Sequence, residues 1–325
     1  MRVFVTGGNG FIGSRVVRRL VEDGHEVRCL LRPSSRTHRI DDLALERVPG
    51  DLGDPDALRR GVAGCDGCVH LAGVSSWDEI ASPEVEETIV GGTRRLLEAA
   101  RGVPGLRIVY VSSVAAVNGS DGPRVFDESA AFGLAGSGLR YALAKHAAEE
   151  LVREAVRDGL DAVTVNPGET YGPEDDEWVT AGPIRDVLRQ WPALAVRGGA
   201  SVVHVDDVAA GIVAALRQGR AGERYILGGD NLRVEEIVRT ALHAAGSRKP
   251  VLVVPAAVLR AVVRLCVLLR LPPPVPPDLV GYACRFWFVD SGKAKRELGY
   301  QPRPAAETLG AVVAWIRGPG ATAHP

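Results

Sequence analysis

Tyr141 and Lys145 stand four residues apart at the start of a stretch, 141–157, whose apolar residues Leu143, Ala147, Leu151, Val152 and Ala155 recur with helical period. On a helix that spacing puts both side chains on one face, one turn apart. A phenol with a pKa near ~10 is a poor acid or base at neutral pH, and an adjacent ammonium favours its phenolate. The pair therefore has the means to pass a proton to or from a carbonyl or hydroxyl. With six tyrosines and four lysines in 325 residues, chance supplies such a pair in fewer than about one chain in ten. Ser113 follows the apolar run 107–112, RIVYVS, and offers a hydroxyl to hold a substrate oxygen beside Tyr141.

A second set of residues has the pattern of a phosphate cradle. The run 2–6, rich in β-branched residues, passes at once into Gly7-Gly8-Asn9-Gly10 and then into a helix with Phe11, Ile12, Val16, Val17 and Leu20 on its apolar side. Gly7, Gly10 and Gly13 leave room for a tight turn, for the approach of a pyrophosphate and for close helix–strand packing. The first helical N–H groups, around Phe11 and Ile12, and the positive end of the helix supply the anion site. Glycine is common here, at 38 residues, so the weight lies in the position of the pattern straight after the first strand. The second strand, 26–31, ends in Arg32-Pro33-Ser34-Ser35-Arg36 with no acidic residue to accept from both ribose hydroxyls of NAD. Arg32 suits the extra phosphate of NADP, with NAD as the alternative.

These groups need a scaffold, and the periodicity provides one. Strands are expected at 45–48, 68–72, 107–112 and 162–165, with helices at 55–62, 84–101 and 141–157 between them. That alternation predicts an α/β fold, a Rossmann-type doubly wound parallel sheet with its ligand beyond the carboxyl ends of the strands. The rhythm breaks after Pro173. Strand-like runs at 202–205 and 223–227 are expected to complete a cofactor domain of residues 1–166 and 202–228. Residues 167–201 and 229–325 then form a smaller, mixed substrate domain with helices near 234–245, 256–269, 291–298 and 307–316.

Composition narrows the partners. With 39 basic and 40 acidic residues the net charge is −1, so no broad basic field invites nucleic acid. The chain starts directly in its first strand, so a cytoplasmic protein is expected. Cys65 and Cys68 form a C-x-x-C with no second pair or His cluster, which fits small packing residues better than a metal or redox site, and no metal is expected. The apolar stretch 256–271 is short and carries Arg260, Arg264 and Arg270, so it reads as a buried or interface helix with no stable membrane insertion. Prolines at 272–274 and 276–277 end it in a stiff loop.

Taken together, TGGNGFIG, GDLGD, HLAG, VSSVAAVNG, YALAK, NPGETYGP, VHVDDVA and DSGKAKRELGYQPRP, spread over nearly the whole chain, resemble the extended short-chain dehydrogenase/reductase superfamily. The likeness is to its NAD-dependent epimerase/dehydratase and dihydroflavonol-reductase-like branch, near bacterial hopanoid-associated sugar-epimerase-like proteins. The resemblance implies that Ser113, Tyr141 and Lys145 are a catalytic triad. It also implies that Gly7, Gly10 and Gly13 hold the pyrophosphate, Arg32 the 2′-phosphate, and Asp51 and Leu52 the adenine. Leu71, Ala72 and Gly73 would line the cofactor, Lys145 would bind the nicotinamide ribose, and Asn166 and Pro167 would pack by the nicotinamide. Asn118 and Tyr171 would face the substrate. One departure is Ile89, where many members place an asparagine that positions a proton-relay water. A homodimer through the helices at 84–101 and 141–157 is implied as well.

The expected activity is an NADP-dependent interconversion of a carbonyl and an alcohol on a small, largely apolar molecule. Nucleotide-sugar members often carry an arginine a few residues before V-H-V-D-D, and this chain has Gly198-Gly199-Ala200-Ser201 there. A lid over residues 275–289 would offer Tyr282, Phe286, Trp287 and Phe288. A nucleotide-sugar epimerase or dehydratase is the alternative, and a cofactor-sensing protein without turnover is a third reading that the intact triad disfavours.

Overall fold

A computed structural model of the chain describes residues 1–74, 80 and 82–318. Its first half alternates strand and helix. The order is β1 (Arg2–Thr6), α1 (Phe11–Glu22), β2 (Glu26–Leu31), β3 (Glu46–Pro49), α2 (Pro55–Val62) and β4 (Gly67–His70). A helical stretch follows, α3 (Glu84–Glu86) and α4 (Gly92–Ala100), joined by a π turn over Glu87–Gly91. Next come β5 (Arg107–Val111), β6 (Val125–Phe126), α5 (Arg140–Arg157), β7 (Asp161–Pro167) and β8 (Glu169–Tyr171). The second half holds α6 (Ala181–Arg189), β9 (Ala193–Val196), β10 (Gly199–His204), α7 (Val205–Gln218), β11 (Arg224–Leu227) and β12 (Asp230–Arg233). The chain ends with α8 (Val234–Ala244), β13 (Val251–Val254), α9 (Ala256–Leu268), α10 (Val280–Ala283), β14 (Phe286–Val289), α11 (Gly292–Leu298) and α12 (Ala305–Arg317).

Seven strands form one parallel sheet in the order β11-β7-β5-β4-β1-β2-β3. Both faces are covered, because alternate side chains of a strand point to opposite sides. Val3 and Val5 of β1 pack with Val16, Val17 and Leu20 of α1 and Val208 and Ile212 of α7. Phe4, between them, packs on the other face with Leu58 of α2, Leu96 of α4 and Ala148 of α5. The order reverses between β1 and β4, so ligand space opens beyond their carboxyl ends. α2 is fixed where the sequence asks for it: the Asp54 carboxylate accepts from the N–H groups of Asp56 and Ala57, and Pro55 opens the first turn.

A second, mixed sheet runs β12-β10-β14-β6, with β8 also pairing β10. β10 accounts for the expected strand at 202–205 and lies in this smaller sheet, whereas β11 is the edge of the large one. Five strands and one helix outside the expected pattern, β6, β8, β9, β12, β13 and α6, lie in or beside this part of the molecule. The expected lid at 275–289 ends in β14, and Phe286, Trp287 and Phe288 are buried there as core residues. Only Tyr282 among the four aromatics remains outside a strand. The last seven residues of the expected domain 229–325, 319–325, lie outside the described residues. Cys65 and Cys68 are buried and form no disulfide, and burial pushes both thiols up.

Candidate active site

The first turns of α5 bring Tyr141, Lys145 and Glu149 onto one face, each one turn from the next. Lys145 Nζ donates to the carbonyl of Val111, the last residue of β5, at 2.9 Å. It lies 5.9 Å from the centroid of the Tyr141 ring. Ser113, two residues beyond β5, lies near enough to the Tyr141 hydroxyl to favour its phenolate. Its Oγ accepts from the N–H of Ala115 at 3.2 Å, starting a short 3-10 turn over Val114–Ala116 that fixes its direction. The structure thus brings Ser113, Tyr141 and Lys145 together at the carboxyl end of β5.

Burial governs their protonation. It raises the Tyr141 phenol, with the nearby Ser113 hydroxyl opposing. It lowers the Lys145 ammonium to about 8, with the Glu149 carboxylate opposing. Glu149 is itself buried, paired with Arg224 and accepting from Asn166 Nδ2 at 2.7 Å. The same Asn166 nitrogen donates to the carbonyl of Ser113 at 2.8 Å. Glu149 is therefore the member of this group that sequence reasoning missed, although its spacing of four from Lys145 was visible. It holds Asn166, and through Asn166 the backbone of Ser113.

A second chain of hydrogen bonds fixes the floor between β1, β4 and α4. Thr93 Oγ1 donates to the carbonyl of Ile89 at 2.6 Å, so it accepts from His70 Nε2, 3.1 Å away. His70 Nδ1 is then the acceptor for Thr6 Oγ1 at 2.7 Å, and that oxygen accepts from the N–H of Ala72 at 3.2 Å. This sequence of donors requires a neutral imidazole. Burial, helped by the nearby Lys145 charge, lowers His70 to about 3 and keeps it neutral. Ile89 sits in the π turn with its side chain buried in the core, so it contributes no side-chain group able to exchange a proton.

The glycine loop fits a dinucleotide. Gly7 has φ +72°, and a Cβ there would lie 2.7 Å from the nitrogen of Ala72. A Cβ on Gly13 would lie 2.0 Å from the Gly7 carbonyl oxygen, so the helix can seat on the loop only with glycine at both places. Gly10 is the N-cap of α1, which has no side-chain cap and no acid in its first turn, so the N–H groups of Phe11, Ile12 and Gly13 are left for an anion. Leu71 and Ala72 border the loop, and Gly73 brings its α-carbon close enough that a Cβ would sit 3.7 Å from Lys145 Nζ. Pro167 ends β7 beside Asn166. Arg32 is exposed at the end of β2, its N–H donating to Ser35 Oγ at 3.1 Å, and it has no ion-pair partner among the described residues. Asn9 Nδ2 donates to the carbonyl of Arg36 at 3.1 Å, tying that loop to the glycine loop. Asp51 turns its carboxylate to the N–H of Gly53, and Leu52 packs on Gly92 of α4.

The two expected substrate residues are otherwise engaged. Asn118 Nδ2 donates to the carbonyl of Ala131 at 2.8 Å and its Oδ1 accepts from the N–H of Gly119, so both ends of the amide clasp backbone. Tyr171 is buried in a cluster with Ile184, Val202 and Leu309, and its hydroxyl donates to Glu169 at 2.6 Å. Tyr282 of α10 stands closer to the chemistry: its hydroxyl accepts from the N–H of Ala142, next to Tyr141, at 3.4 Å.

The model of the NAD-dependent epimerase/dehydratase family matches residues 3–228. The chain is 36% identical to a putative dihydroflavonol 4-reductase of Synechocystis over 98% of its length and 95% of that protein. It is 30% identical to sterol demethylase protein B of Methylococcus capsulatus over 98% of each. Its fold is similar to that of a dTDP-glucose 4,6-dehydratase from Streptomyces venezuelae determined with NAD bound, at 30% identity and TM-score 0.79, covering 99% of this chain and 98% of that one. The chain belongs to the NAD-dependent epimerase/dehydratase family and is an NAD(P)-dependent enzyme of the extended short-chain dehydrogenase/reductase type.

Proposed function

We propose that the enzyme is an NADP-dependent carbonyl reductase or alcohol dehydrogenase acting on a small, largely apolar substrate, with Tyr141 as its acid and base. The observation that carries the reading is the convergence of Ser113, Tyr141 and Lys145 at the carboxyl end of β5, with Lys145 Nζ anchored on the Val111 carbonyl and close to the Tyr141 ring. Ser113 holds the substrate oxygen. Tyr141 gives that oxygen a proton in reduction and takes one in oxidation, and the Lys145 ammonium stabilises the phenolate left behind. Gly7, Gly10, the start of α1, Leu71–Gly73, Lys145, Asn166 and Pro167 would hold a nicotinamide dinucleotide, which when bound would supply or receive the hydride. The large sheet carries the cofactor, and the second sheet with its helices carries the substrate.

Support for an apolar substrate comes from the surroundings of Tyr141, which with Tyr282 is partly buried against an apolar core cluster that includes Val114, Leu139, Ala142 and Trp287. Support against a nucleotide sugar comes from Gly198, where a Cβ would lie 2.2 Å from the carbonyl oxygen of Ala283. An arginine side chain cannot enter there without moving that segment. The similarity to the dTDP-glucose dehydratase structure favours the alternative reading, a nucleotide-sugar epimerase or dehydratase that retains NAD. NADP preference rests on Arg32, whose fork suits a 2′-phosphate. Arg32→Ala is expected to weaken NADP by about tenfold or more, as for a charge-assisted bond, and to leave NAD nearly unchanged. The deciding experiment is a panel of ketones, aldehydes and nucleotide sugars followed by NADPH absorbance and product analysis. Net NADPH oxidation with an apolar ketone supports the proposal. Interconversion of sugar epimers without net oxidation overturns it.

A further inference from the structure

The helix α9 is 13 residues long, yet only Leu259 and Val263 are buried, packed on Val280 and Cys284. Val258, Val262, Leu265 and Leu269 recur at intervals of four, three and four, which is one face of a helix, and all four are exposed. Leu268 beside them is 78% exposed. The strand that leads into α9 continues the apolar surface: Leu252 of β13 pairs in register with Leu194 of β9, and both are exposed. Trp191, two residues before β9, is 75% exposed. So large an uncovered apolar area is foreign to a surface that meets only water.

Charge identifies what covers it. From residue 237 to residue 277 the chain has no Asp or Glu, in a protein whose overall charge is −1. Arg248, Arg260, Arg264 and Arg270 fall in this stretch and form no ion pair among the described residues, whereas elsewhere arginines pair widely with carboxylates, as Arg18 does with Asp42 and Arg303 with Asp207. At 100° per residue, Arg264 lies beside Leu268 at one margin of the exposed side of α9 and Arg260 one step further round, both on the side away from Val258, Val262, Leu265 and Leu269, so their charge borders that surface along one edge. We propose that α9, with the edge of β13 and β9, is a membrane-docking surface that lies in the headgroup region of an anionic bilayer.

The helix cannot span. At 1.5 Å per residue it is about 20 Å long, against a hydrocarbon core of about 30 Å, and no helix of the described residues is long and apolar enough to cross a membrane. The docking surface is one short helix away from the chemistry. Leu259 and Val263 rest on Val280 and Cys284, and Tyr282 between those two meets the backbone of Ala142. An apolar substrate dissolved in the bilayer would reach the site along that path.

The test is co-sedimentation of the full chain with vesicles of phosphatidylcholine alone or of an equimolar mixture with phosphatidylglycerol, which needs no turnover and so is independent of the proposed activity. Binding to the anionic vesicles and not to the neutral ones is expected, falling as salt is raised. The double variant Leu265→Asp with Leu269→Asp, exposed positions whose change leaves the melting temperature in place, should bind about tenfold more weakly or less. Arg260→Glu with Arg264→Glu should abolish the preference for the anionic lipid. Failure of the unmodified protein to bind anionic vesicles overturns the proposal, as does binding indifferent to both double variants. A dimer in sedimentation velocity that the leucine variant dissociates also overturns it, because a second copy would then cover the face.

Discussion

Lys145 does its work at a disadvantage to the fold. Its folded-state value of about 8 lies well below the ordinary 10.5 because burial disfavours the ammonium. Between those two values the unfolded chain binds more protons than the folded one, so this residue makes stability rise as pH increases through that window. Below about 8 the buried charge opposes folding by up to roughly 3 kcal/mol, a net figure that already contains the favourable effect of Glu149. Lys145→Met should therefore abolish turnover and weaken cofactor binding, yet unfold at a higher urea concentration than the unmodified protein at pH 7. The gap should close as pH approaches 10.5; urea melts across that range check it, and a less stable variant at pH 7 contradicts this account. Tyr141→Phe separates chemistry from binding. It removes only the proton-transferring oxygen, so kcat should drop by about 10²–10⁴ while a fluorescence titration gives an unchanged cofactor affinity. Retained turnover would mean that another residue moves the proton.

At the scale of elements, the seating of α1 on the glycine loop is the tightest junction near the cofactor. Gly13→Ala places a methyl group 2.0 Å from the Gly7 oxygen, so the helix must lift away from the loop. Cofactor affinity should fall by tenfold or more and stability by about 1–3 kcal/mol, read from titration and thermal melts of the same sample. This junction was legible in the sequence because strand, glycines and helix are contiguous, as were α2, with its Asp54 cap, and the long α5. The second sheet was far less legible. β6 has two residues, and β12, Asp-Asn-Leu-Arg, is polar and half-exposed, so neither carries a periodic signal. Their pairing comes from β10 and β14, distant in the chain. β14 was visible as an apolar aromatic run, but nothing local distinguishes a buried strand from a lid. α6 hides behind Pro183, which its first turn tolerates. Among site residues, Tyr141, Lys145 and Ser113 could be read from spacing. The role of Glu149 could not, since its partners Asn166 and Arg224 are 17 and 75 residues away.

For the molecule as a whole, the expected homodimer takes a more specific form. The apolar stripes of α4 and α5, Leu96, Leu97, Ala100, Ala148 and Val152, are consumed in the core against the large sheet. A dimer through these helices must use their outer faces, where Arg94, Glu98, Glu150 and Glu154 are exposed. Light scattering over a dilution series should give twice the chain mass, and charge reversal at Glu150 and Glu154 should lower it; a single-chain mass throughout refutes the dimer.

The discontinuity of the second sheet also dictates an order of events during synthesis. Once residue 227 has left the ribosome, all seven strands of the large sheet exist, and that layer can close around its core. The smaller sheet still lacks β14, which lies between β10 and β6 and is made more than fifty residues later, at Phe286–Val289. Throughout that interval the Gly199–Ala200 end of β10, where β14 pairs, has an unpaired edge, while Val202–His204 are already joined to β8. The nascent enzyme is thus most vulnerable to aggregation when its cofactor half is already built, and a chain cut short before Phe286 should be a client for chaperones and not a working fragment.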